Sequence, residues 1–209
     1  MASSQKSEAR HPLKHRILHE LIMVSVILLI LTGLYIHRPF VGGGGFLMSM
    51  SRGVHNFAAI VLIISTVLRL WCMFVGSGRD CRLFIPTWAD LKLLPKTLNY
   101  YAYVGERPVI VRKYNPLQML TYLLVFILII FQIVSGLALK YPDGAFSWFN
   151  YGWFNNEIQS RMGHFVVMWL FIMFLALHMY LNIREKFEEI KEMHLFSTTY
   201  EPEEVAEEQ

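Results

Sequence analysis

Cysteine is nearly missing from this chain of 209 residues, which has only Cys72 and Cys81. Their spacing matches no zinc-ligand pair and no motif for covalent attachment of a prosthetic group, so any such group is held by ligation and packing alone. Charge is also sparse, with Asp, Glu, Lys and Arg together making 17% of the residues and a net charge of +3. No basic face or recognition motif is present, which excludes nucleic acid as a partner. A cleavage site of small residues is lacking too: the first apolar run ends in Tyr35, Ile36, His37 and Arg38, so it is not a removable signal. Neither an internal repeat nor a separate soluble catalytic domain is visible, and residues 1–209 read as one domain.

Apolar residues, in contrast, are abundant. They make up 55% of the chain, 14% is aromatic, and the mean hydropathy is +0.39. That is more apolar surface than a soluble domain of this length can bury. Runs long enough to cross a ~30 Å hydrocarbon layer lie at Ile17 to Ile36, Phe57 to Val75, Leu117 to Leu139 and Phe165 to Leu181. The expected fold is an all-α integral membrane protein, a bundle of four transmembrane helices in the lipid bilayer.

Basic residues orient it. The N-terminal tail, the connection from Arg69 to Lys113 and the C-terminal tail hold 15 of the 19 lysines and arginines; Arg38, Arg52, Lys140 and Arg161 fall on the other side. Both termini are therefore expected in the cytoplasm, as are both cysteines, which the reducing cytoplasm would keep as thiols. The segment from Pro86 to Tyr103 reads as an amphipathic helix lying at the cytoplasmic interface. One outer loop carries four glycines, Gly42 to Gly45, and the other is aromatic from Phe146 to Phe154. The aromatic loop suits either a belt at headgroup level or a docking surface for a protein. The tail, 201–209, is acidic and expected to be disordered.

Four histidines fall inside or beside these spans. With the alternating direction of the helices, His19 and His178 lie at the inner level, and His55 and His164 at the outer level. His164 and His178 are fourteen residues apart, which in an α-helix is nearly the same face at a separation of ~21 Å. A lone intramembrane histidine suits a structural or proton-relay role. Two pairs matched in depth suit the axial ligands of two stacked haems, held without covalent bonds and therefore b-type. His11, His15, His37 and His194 lie outside the spans or at their edges, and His15 is the nearest competitor to His19.

Residues fourteen positions beyond the ligands extend this pattern. Gly33 follows His19, and Gly136 lies in the third span; each offers a flat surface for a macrocycle or a close helix contact. Arg69 follows His55, with a charge for a haem propionate or for the interface.

With Arg16, Ile17, Leu18, His19, then Thr32, Gly33, His55, His164 and His178, and above all Lys113, Tyr114, Asn115, Pro116, Leu117 and Gln118, the chain resembles the di-haem b-type cytochrome subunits of respiratory nickel-iron hydrogenases and formate dehydrogenases. The same group includes thiosulfate-reductase-type anchors. Glu20 departs from the aromatic residue that relatives often carry after the first ligand. The resemblance implies an electron-transfer subunit of the bacterial or archaeal inner membrane, linking an iron-sulfur partner and a catalytic subunit on the outer side to the menaquinone or ubiquinone pool. It further implies a quinone site at Asn115, Gln118 and His178. Glu20 is a candidate proton donor there, although a carboxylate at a helix start is also favoured by the helix dipole. Asn115 and Pro116 would equally start a helix. Two other readings stay open: a stand-alone cytochrome similar to the b561 type, and a haem-free anchor or transporter.

Overall fold

A computed structural model of the chain describes residues 13–40, 44–75, 85–106, 108–109, 115–185, 190 and 194. His11, Gly42, Gly43, Cys81, Lys113, Tyr114 and the tail 201–209 lie outside the described residues. Within them the structure is helical, with no strand. Five α-helices occur in the order α1 (Leu13–His37), α2 (Gly44–Phe74), α3 (Trp88–Tyr101), α4 (Pro116–Lys140) and α5 (Glu157–Glu185), with a π-helical turn (Phe149–Trp153) between the last two.

Four of these, α1, α2, α4 and α5, are long and apolar enough to cross a membrane. Each is longer than the apolar run that predicted it. Helix α2 begins at Gly44 rather than near Phe57, and α5 at Glu157 rather than Phe165. Hydropathy marks only the length that lies in hydrocarbon, whereas backbone hydrogen bonding carries the helix on through Ser49, Arg52 and Asn56 or through Gln159 and Arg161.

Only 17–22% of the residues in the apolar window of each span are buried in protein. On α2 the side chains of Ile60, Ile64, Val67, Leu68 and Trp71 form an exposed stripe, while Ala58, Leu62, Ser65 and Thr66 are buried. On α5 the exposed series Ile158, Met162, Val166, Trp169, Met173 and Leu177 alternates with buried Ser160, Val167, Met168 and Phe171. Both stripes repeat at helical spacing, so each helix has one side packed on protein and one apolar side left exposed, as suits a membrane span.

The contacts divide the chain into two units. The first comprises Met1–Arg69 and Trp169–Gln209, the second Leu70–Met168. In the second unit α3 packs on α4, and so does the π-helical turn. Helix α3 starts with a capping box: Thr87 N–H donates to Asp90 Oδ2 at 2.7 Å, and Asp90 N–H donates to Thr87 Oγ1 at 3.4 Å. It lies within the span expected for the interfacial helix, two residues shorter at each end.

The aromatic loop between α4 and α5 is more ordered than a belt requires. Phe149 is buried and meets Phe131, Trp148 and Phe154 edge-on at centroid distances of 5.3–5.8 Å. Asn150, fully buried, donates through Nδ2 to the Ala138 carbonyl at 2.8 Å, satisfying one of the free carbonyls at the end of α4. Tyr151 donates its hydroxyl to Glu157 at 2.7 Å, which holds the phenol above its usual titration range and ties the turn to α5. Trp148, Tyr151 and Trp153 remain exposed.

Candidate haem-ligand sites

In the first unit, α1 and α5 bring His19 and His178 together. Their ring centroids are 6.5 Å apart, with the planes at 42°. Two imidazoles on one iron, with metal–nitrogen bonds of about 2 Å and ring centres ~1.1 Å beyond each nitrogen, have centroids ~6.3 Å apart. The pair therefore fits axial ligation of a haem. Phe174, one turn before His178, stacks on its ring at 5.3 Å and 28°. Asn182, one turn after it, donates from Nδ2 to His178 Nε2 at 3.0 Å. That amide occupies the lone pair that iron would take, so ligation through Nε2 requires Asn182 to release it.

Glu20 lies beside this pair, its Oε1 3.8 Å from His19 Nδ1. His194 stands closer than its position outside the spans suggests: its Nδ1 is 2.7 Å from the same Glu20 oxygen, and its ring is 6.2 Å from that of His19. Sequence spacing has no signal for this contact, because it joins residues 174 positions apart. His15, one turn before His19 on α1, is half-buried. Gly33 also lies on α1, and Arg69 is half-buried near the end of α2.

His55 belongs to the first unit and His164 to the second, and each meets a hydroxyl from a neighbouring helix. Thr32 Oγ1 of α1 is 2.8 Å from His55 Nδ1, and Ser135 Oγ of α4 is 2.7 Å from His164 Nδ1. The single proton of Thr32 has a carbonyl to go to, Leu28 O at 2.6 Å. Thr32 Oγ1 is then left to accept from His55 Nδ1–H. Ser135 has the same option at the Gln132 carbonyl, 3.2 Å away. On both histidines Nδ1 thus meets a hydroxyl of the adjoining helix. Gln132 Nε2 donates to the His164 carbonyl at 3.1 Å, and a Cβ on Gly136 would lie 3.5 Å from His164 Cε1. Gly136 therefore meets the ring of the ligand candidate itself. Among the described residues no three His, Cys, Asp or Glu side chains cluster as a metal site. Paired histidines instead match a macrocycle that supplies the remaining ligands itself.

At the start of α4, Asn115 and Gln118 form a complete capping box. Gln118 N–H donates to Asn115 Oδ1 at 2.7 Å, and Asn115 N–H donates to Gln118 Oε1 at 3.0 Å. Asn115 also donates from Nδ2 to the Tyr101 hydroxyl at 3.1 Å, fastening the end of α3 to the start of α4. The side chain is buried, and one N–H of its amide is left after these bonds. Tyr101 carried no signal in the sequence. Thr32 and Ser135 did: each is a hydroxyl immediately before a glycine, Gly33 or Gly136, in an apolar helix.

The profile of the prokaryotic cytochrome b561 family matches residues 10–194. The chain belongs to that family. Among curated proteins, it is 29% identical to the probable Ni/Fe-hydrogenase B-type cytochrome subunit of Rhizobium leguminosarum bv. viciae, over 81% of this chain and 78% of that one. It is 26% identical to the probable Ni/Fe-hydrogenase 1 B-type cytochrome subunit of Escherichia coli K12, over 81% and 80%. The corresponding subunit of Cupriavidus necator is 28% identical over 81% and 76%. This cytochrome b561 family member is thus a multi-pass membrane protein, and its prosthetic group is haem b.

Proposed function

We propose that this cytochrome is the membrane electron-transfer subunit of a nickel-iron hydrogenase-type complex, with two b haems linking an iron-sulfur partner on the outer side to a quinone site on the cytoplasmic side. The observation that carries the reading is the His19–His178 pair, whose 6.5 Å ring separation suits two axial ligands of one iron. His55 and His164, each with a hydroxyl at Nδ1, are the proposed ligands of the second haem. Bound haem supplies a one-electron ferric/ferrous couple. The protein would hold the imidazoles in place, and its apolar helices would keep water from the path.

The relatives are hydrogenase cytochrome subunits, which favours a hydrogenase over a formate dehydrogenase as the partner. Asn115 and Gln118 are the proposed quinone contacts, with His178 and menaquinone or ubiquinone completing the site. The remaining amide N–H of Asn115 is the donor for a quinone carbonyl. Glu20, beside His19, is the proposed proton donor, with Arg69 facing a haem propionate and Gly33 giving the macrocycle room. A two-electron reduction of quinone consumes two protons, and a cytoplasmic site would take them from that side.

The test is haem content. Pyridine haemochromogen assay of the purified protein should give two haems per chain, falling to one in His164→Ala and to one in His178→Ala. A protein with no reducible b-type absorbance would overturn the reading in favour of a haem-free anchor. Purification from native membranes separates the complex from a stand-alone cytochrome, since only the former brings an iron-sulfur subunit with it. Asn115→Leu examines the quinone end: haem reduction by the partner should persist while quinone turnover falls. Unchanged turnover and inhibitor sensitivity in a two-haem Asn115→Leu protein would remove this residue from the site.

A further inference from the structure

Two of the four histidines share a device that the other two lack. Thr32 on α1 and Ser135 on α4 place a hydroxyl oxygen 2.8 and 2.7 Å from Nδ1 of His55 and His164, respectively. Both oxygens are also within reach of a carbonyl on their own helix, Leu28 for Thr32 and Gln132 for Ser135. Each hydroxyl has one proton and each carbonyl can only accept, so a hydroxyl that donates along its helix presents lone pairs to the imidazole. His19 Nδ1, by comparison, is buried and makes no hydrogen bond, and the nitrogen of His178 that is bonded is Nε2, to Asn182.

We infer that Thr32 and Ser135 are positioning residues that lock His55 and His164 as the Nδ1–H tautomer and set the electron-donor strength of their Nε2 atoms toward haem iron. The inference rests on the reading of these two histidines as ligands. Three physical consequences follow from the geometry. An Nδ1–H held by an acceptor cannot migrate to Nε2, so the ligating lone pair is always present. The ring is fixed about its Cβ–Cγ bond, because a half-turn would carry Nδ1 away from the hydroxyl. The acceptor also draws the Nδ1 proton outward, which makes the imidazole a stronger donor and favours ferric over ferrous iron. Ser135 is fully buried, so no water can replace its hydroxyl.

The experiment uses the full chain purified in detergent, with haem content and a spectroelectrochemical titration as readouts. Thr32→Val keeps the shape and deletes the hydroxyl, Thr32→Ser restores it, and Ser135→Ala deletes the other. His55→Ala tests the underlying reading separately: two haems retained there would remove the ligand assignment and the inference with it. Where His55→Ala loses one haem, Thr32→Val and Ser135→Ala should keep two. One of their two reduction waves should move to higher potential while the other stays, and Thr32→Ser should titrate like wild type. Loss of a single haem in Thr32→Val, recovered in Thr32→Ser, would also support the hydroxyl's role in holding the ring. Unmoved potentials in both deletion variants would overturn the inference. So would equal damage in Thr32→Val and Thr32→Ser, which would assign the effect to packing rather than to the hydroxyl.

Discussion

Two glycines in the second unit look alike in sequence and differ sharply in surroundings. A Cβ at Gly163 would lie 2.8 Å from Phe154 Cζ, closer than carbon atoms approach, while one at Gly136 would meet its nearest neighbour at an ordinary 3.5 Å. Phe154 is itself packed edge-on against Phe149, so it cannot simply swing aside. Gly163→Ala is expected to destabilise by about 1–3 kcal/mol through overpacking. Gly136→Ala should be nearly silent in stability. Thermal unfolding of the two variants in the same detergent checks this, and equal melting temperatures would contradict the contrast. Neither distance could be read from the residues: Gly136 stood out by its place in an apolar span, and the tighter contact belongs to Gly163, beside a histidine that drew the attention.

At the level of the helix, α4 is finished at both ends by asparagine side chains. Asn115 caps the start with its oxygen and binds Tyr101 with its nitrogen. Asn115→Asp keeps the capping oxygen, so its stability should stay closer to wild type than that of Asn115→Leu, which loses a cap worth ~1 kcal/mol. A larger loss in the aspartate than in the leucine variant would mean that the cost of burying a carboxylate outweighs the cap. Asn150 serves the other end, donating to the Ala138 carbonyl while its own oxygen is buried without a partner. Asn150→Asp replaces the donor with a second acceptor in a fully buried place, and a carboxylate there faces a carbonyl with no compensating charge. It should lower the melting temperature more than Asn150→Ala, which removes the donor without adding charge. The cap at Asn115 was legible because Asn, Pro and Gln fall in capping-box order; the bond from Asn150 was not, since it joins a turn to a helix twelve residues earlier.

For the whole molecule, the exposed stripes of α2 and α5 state the environment the chain requires. Side chains such as Ile60, Ile64 and Trp71 are more than half exposed. In water that much uncovered apolar surface drives association, so removal of detergent without added lipid should precipitate the protein, and reconstitution into vesicles should keep it dispersed. On the proposed orientation, the excess of basic residues in the tails and the middle connection places both termini in the cytoplasm. A C-terminal fluorescent-protein fusion should glow and an alkaline-phosphatase fusion at the same point should be inactive; the reverse would invert the proposed positions of both histidine pairs.

The sequence by itself determined the number of spans, because hydrocarbon thickness and hydropathy are properties of the local chain. It also singled out the four histidines, since ionisable groups in such runs are costly without a function. Their partners were decided only by tertiary structure. The closeness of His19 to His178, the contact of His194 with Glu20, and the hydroxyls of Thr32 and Ser135 at Nδ1 of His55 and His164 join residues from 23 to 174 positions apart. Helical periodicity reports which face a residue occupies on its own helix. Which neighbour that face meets depends on how the helices pack.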